Sequence, residues 1–183
     1  MFKSSTETLI RYRRERFRWR LFGPVTVGLT VAAIPEPLLF PLSFLAVVLV
    51  LFQFRLWDDL ADRDYDLIHH PHRVLSQCDR ASSFYGLVVV AALTNSVLLL
   101  LLSRPIAPFL LLCGATLLWY AQVPGRTRRT ILGRHVLLLK YPAFVWLIAP
   151  AHPPELFVSM FVVYVSSAVY EVLHDRTALR ESQ

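Results

Sequence analysis

The sequence predicts an all-α membrane protein, a polytopic bundle of about six transmembrane helices. Two observations carry that expectation. Hydrophobic residues fill 55% of the 183 positions and charged residues only 17%, and the apolar residues fall in long blocks instead of alternating with polar ones. The net charge of +6 comes from basic residues that sit beside those blocks, as topology signals do, and not from a basic face that would suit nucleic acid.

Residues 1–20 form a basic cytoplasmic segment ending in Arg11-Tyr12-Arg13-Arg14-Glu15-Arg16-Phe17-Arg18-Trp19-Arg20. Interleaved cations and aromatics can stack on single-stranded nucleic acid. Next to an apolar block they read instead as an interfacial anchor, within reach of a phosphate at the membrane face. Gly23-Pro24 interrupts the start of the first apolar run and no A-x-A-like cleavage site follows, so that run is expected to be a retained helix.

Six apolar segments follow, at 21–34, 38–56, 84–102, 106–120, 135–150 and 156–170, within a bundle spanning 21–175 and followed by a tail at 176–183. Several fall short of the roughly 20 residues a perpendicular span needs. The intervening connections alternate in charge. Those at 35–37, 103–105 and 151–155 carry one basic residue, Arg104, whereas seventeen of the nineteen Lys and Arg lie on the other side. By the positive-inside rule, both termini are cytoplasmic. Lys140 lies within the fifth span, where a charge is a functional candidate unless it snorkels to the interface. Cys78 and Cys113 are too few and too far apart to suggest a disulfide framework.

The richest chemistry lies in Trp57-Asp58-Asp59-Leu60-Ala61-Asp62-Arg63-Asp64-Tyr65-Asp66, with Pro71-His72-Arg73 close behind. Asp59, Asp62 and Asp66, at i, i+3 and i+7, share one face of a helix, where unpaired carboxylates repel one another. A shared hard cation, Mg²⁺ by ligand type, removes that cost and takes phosphate oxygens as further ligands. The bland alternative, a solvated acidic loop at a helix end, is opposed by the macrodipole. Glu171 and Asp175 share a face at i, i+4 on the same side of the membrane, so the two groups are placed to hold a diphosphate through Mg²⁺. A plain helix-end acid balanced by Arg176 is the simpler reading of Glu171. His69-His70-x-His72 lacks a clear fourth ligand and reads as solvated.

Asp58-Asp59-x-x-Asp62-x-x-x-Asp66 resembles the N-D-x-x-D-x-x-x-D signature of the UbiA superfamily of intramembrane prenyltransferases, with Asp58 in place of the usual Asn. Pro71-x-Arg73 resembles its P-x-R-P continuation, with Val74 replacing the second proline, and Glu171-x-x-x-Asp175 stands where that family has D-x-x-x-D. Tyr120 opens the loop where the family has Y-x-x-x-K; here the lysine is absent, leaving Arg126 or Arg128 to contact phosphate.

The resemblance implies the UbiA fold without its last three helices, since family members usually have nine. It also implies Mg²⁺-dependent transfer of a prenyl group from a prenyl diphosphate to an acceptor, typically an aromatic ring. Asp59, Asp62, Asp66, Glu171 and Asp175 would be the metal-bearing catalytic acids, and Arg73, Arg126 and Lys140 would neutralise the diphosphate. The implied surroundings are the lipid bilayer and a second copy or another membrane subunit that closes the cavity. A non-catalytic UbiA-like subunit is the alternative. A cation channel is disfavoured, because the spans carry no acids.

Overall fold

The computed structural model describes residues 5–34, 36–78, 81–128, 130–151 and 153–181, with the side chains of 5, 6, 21, 126 and 174–181 outside that description. The described residues are helical with no strand. In chain order the helices are α1 (Ser5–Arg16), α2 (Trp19–Ala32), α3 (Phe40–Ala61, entered through a 3₁₀ turn at Pro37–Leu39), α4 (Arg63–His69), α5 (Ala81–Leu101), α6 (Ala107–Gln122), α7 (Gly125–Arg128), α8 (Ile131–Leu138), α9 (Lys140–Ile148) and α10 (Pro154–Glu181).

Four stretches are long and apolar enough to cross a membrane: Pro37–Ala61, Ala81–Leu101, Ile131–Ile148 and Pro154–Leu173. The apolar helices Phe22–Ala32 and Ala107–Gln122 are shorter. Each of the six apolar segments of the sequence falls on one of these. Local chemistry sets their ends. Proline occupies the first turn of α3 and of α6, where its missing N–H is one of the helix's orphan donors anyway. Ser103, in left-handed backbone with φ 58°, closes α5: its N–H reaches Leu100 O at 2.9 Å and the Arg104 N–H reaches Leu99 O at 2.7 Å. Thr130 caps α8 by accepting the Gly133 N–H at 3.2 Å. Gly133 has no room for a side chain, since a Cβ there would meet the backbone oxygens of Thr127 and Arg128 at 2.5 Å.

α3 is the central helix and packs most extensively on α5, then on α2 and α9. Val47, Val50 and Phe54 of α3 meet Leu98 and Leu99 of α5, Phe109 of α6 and Phe144 and Ile148 of α9 in one apolar core. The most hydrophobic window of α3 is 39% buried and that of α10 only 6%, so α10 is a peripheral helix leaning on α9. Within this core the Asn95 amide donates to Gln53 Oε1 at 2.8 Å, joining α5 to α3, and Gln53 donates to Cys113 Sγ at 3.4 Å, joining α3 to α6. Cys78 and Cys113 are both free thiols.

A second apolar cluster sits at the end of α3. Tyr12 of α1 packs there with Leu56, Leu60, Val74, Leu75, Phe84 and Val88. Within the segment expected to anchor at the interface, α1 is docked on the acidic stretch.

Candidate functional site

α3 stops at Ala61, and Asp62, with φ −98° and ψ 6°, bends the chain into α4. Backbone bonds continue across the bend, from Asp62 N–H to Asp58 O at 3.0 Å and from Asp66 N–H to Asp62 O at 2.9 Å. The acids therefore stay on a near-continuous helical ladder, but they face different neighbours.

Asp59 and Asp66 face α1. Tyr12 Oη donates to Asp59 Oδ2 at 2.9 Å, and Arg16 Nη2 lies 3.0 Å from Asp59 Oδ1 and 3.8 Å from Asp66 Oδ2. Arg55, one turn earlier on α3, lies 3.6 Å from Asp59 Oδ1. Arg73 Nη1 donates to both oxygens of Asp66, at 2.5 and 2.6 Å. Burial first, and then the Asp59 carboxylate, push the Tyr12 phenol far above its ordinary value, so it stays a donor.

Asp58 and Asp62 face α6, α7 and α9. Tyr120 Oη donates to Asp58 Oδ1, and Lys140 Nζ to Asp58 Oδ2. Lys140 is thus paired with an acid near the end of α3. Arg128 lies 3.6 Å from Asp62 Oδ1, donates to Ala61 O at 3.1 Å and stacks its guanidinium 5.0 Å from the centre of the Tyr120 ring. An open apolar groove of about 380 Å³ runs along the seam of the same two helices, α6 and α9, lined by Pro108, Leu111, Leu112, Ala115, Ala143, Trp146 and Leu147.

Glu171, on α10, pairs with Arg134 of α8 at 3.9 Å, both side chains more than a third exposed. α10 continues through Asp175, whose side chain lies outside the described residues, as does that of Arg126 in α7. His69 stacks on Tyr65 with ring centres 3.9 Å apart.

This donor set does not fit Mg²⁺. The oxygens of Asp59 and Asp66 already accept from phenol and guanidinium, Asp58 is held by Tyr120 and Lys140, and Asp62 has Arg128 beside it. Among the described residues no three His, Cys, Asp or Glu side chains gather closely enough to hold a metal ion. Four carboxylates, those of Asp58, Asp59, Asp62 and Asp66, meet five cations, Arg16, Arg55, Arg73, Arg128 and Lys140.

The aspartates were evident in the sequence. The residues that sequence reasoning left without a role here are Tyr12, Arg16 and Arg55, each read as part of a topology or anchor signal. No family model, curated protein or solved structure matches the chain.

Proposed function

We propose that the chain is an intramembrane prenyltransferase of the UbiA type, carrying a prenyl group from a prenyl diphosphate to an aromatic acceptor, with both termini and the acidic stretch on the cytoplasmic face. One observation carries the reading. Asp58, the first residue of the signature, is bonded both by Tyr120, 62 residues away, and by Lys140, 82 residues away. Two elements of the resemblance thus meet in space, and α9 brings to them a lysine, which the loop after Tyr120 lacks.

The residues divide the work by charge. Lys140 and Arg128 are the cations beside this pair of acids, and each can exchange a carboxylate oxygen for a phosphate oxygen. Their charge stabilises the diphosphate as the allylic carbon–oxygen bond breaks and the electron pair leaves with it. The acceptor ring then bonds to the allylic carbon and loses a proton, which the released diphosphate takes up. The α6–α9 groove takes the isoprenoid tail, and its apolar lining keeps water from the cation. No step here passes through a metal.

A second reading is favoured by one feature: each described signature acid is already matched by a cation of the same chain. In that reading the protein is a UbiA-like subunit that binds the lipid diphosphate without turnover and relies on a second copy or another subunit.

The test is to incubate membranes holding the full chain with a labelled prenyl diphosphate and a panel of aromatic acceptors, with and without Mg²⁺. Transfer that falls by about 10²–10³-fold in Lys140→Met supports the enzyme, as removal of an oxyanion-stabilising donor does. Binding without product supports the subunit. Failure to bind any prenyl diphosphate overturns both.

A further inference from the structure

We propose that Asp59 and Asp66 are the docking site of the chain's own N-terminal helix, with the Arg16 guanidinium between them where the resemblance would put a divalent cation. One nitrogen, Arg16 Nη2, serves both carboxylates, at 3.0 and 3.8 Å, although they lie seven residues apart. One guanidinium thus links the two acids through its charge.

The rest of the contact closes around this bridge. Tyr12 takes the second oxygen of Asp59 at 2.9 Å, and Arg73 takes both oxygens of Asp66. Glu15, between Tyr12 and Arg16, accepts the backbone N–H of Val74 at 3.0 Å, fastening α1 to the loop after α4. The Tyr12 ring meets Phe17 and Phe84 edge-on at 5.9 and 5.8 Å. The Asp59 and Asp66 side chains are left only 8% and 7% exposed.

Charge makes the two occupants exclusive. The two carboxylates already face three guanidiniums, those of Arg16, Arg55 and Arg73. With Glu15 3.9 Å from Arg16 the cluster is balanced, three carboxylates against three guanidiniums, so a divalent ion would add two unmatched positive charges in a poorly solvated place where like charges are strongly felt. Mg²⁺ also keeps several waters in an octahedral shell, which needs room that α1 fills. A divalent cation can therefore reach Asp59 and Asp66 only when Arg16 leaves and α1 undocks. This holds whether or not the chain transfers a prenyl group.

The experiment uses the full chain in nanodiscs and two readouts, trypsin cleavage within α1 and the electron paramagnetic resonance signal of bound Mn²⁺. In the wild type with chelator, α1 is protected. Mn²⁺ either fails to bind at Asp59 or binds there only as cleavage rises; a signal indifferent to Asp59→Asn counts as no binding there. In Arg16→Met, cleavage rises at least tenfold and a Mn²⁺ site appears that Asp59→Asn in the same chain removes, whereas Arg18→Met changes neither. Mn²⁺ held through Asp59 in a wild type whose α1 stays protected would overturn the proposal. So would an Arg16→Met chain cleaved no faster than wild type. The wild-type titration needs only the Asp59→Asn control, so a folding failure in Arg16→Met leaves the decision intact.

Discussion

The two sides of the acidic stretch begin alike and end differently. On one side Asp59 and Asp66 are sealed under α1 by Tyr12 and Arg16; on the other Asp58 and Asp62 look across to Tyr120, Arg128 and Lys140, with the Asp62 side chain 39% exposed. The first side is a joint, in which side chains hold two helices together. The second is a more open polar site, where side chains of three further helices converge. Identical side chains on one ladder acquire opposite duties from what is packed against them.

The largest expected effect tests the joint. Arg16→Ala takes the nearer of two guanidiniums from buried Asp59, leaving the Tyr12 hydrogen bond and Arg55 at 3.6 Å, and breaking such a pair costs about 3 kcal/mol of stability, read as a lower denaturation midpoint in detergent. Lys140→Met, on the open side, removes one charged hydrogen bond while Tyr120 still holds Asp58, a loss of about 2 kcal/mol. A larger loss for Lys140→Met would reverse the roles assigned to the two sides. Gly133→Ala presses a methyl into the backbone of Thr127 and Arg128 and should cost about 2 kcal/mol. It acts on the Arg128 side only, so protease protection of α1 stays at the wild-type level.

The smallest effects mark the limits of the comparison. Glu171→Gln breaks a pair whose two side chains are more than a third exposed, and its effect stays below about 1 kcal/mol and fades with salt. For Tyr12 the sign is set by a folded-state value raised above the unfolded one near 10. Its hydrogen bond is therefore fully present below about pH 10 and lost only as pH climbs through the higher folded value. Protection of α1 measured from pH 7 to 10 should stay flat; a fall centred on an ordinary phenol value would show that Tyr12 is not buried against Asp59.

The apolar helices were legible because a hydrocarbon-length run of Leu, Val and Phe carries its own signal, and each of the six segments found a helix. The position of the aspartates at the end of α3 was legible for the same reason, as the point where that run stops. Their partners were not. Periodicity reports neighbours three and four residues away, whereas Tyr12 reaches Asp59 across 47 residues and Lys140 reaches Asp58 across 82. Arg16 was hidden by its company, since a run of arginines and aromatics has the same composition whether it lies in a lipid interface or docks on a carboxylate. The lone lysine in the fifth span was the one long-range partner that announced itself, because an isolated charge in an apolar helix must be answered somewhere.

The amide pair Gln53–Asn95 has a mechanical meaning. Sliding α3 along α5 by one turn, about 5.4 Å, would turn both amides toward hydrocarbon, where each unanswered polar group costs several kcal/mol. The middle of the bundle is consequently pinned in register, like a keyed shaft. The ends of the helices, where α1 and the bend at Asp62 are found, lie outside that pin.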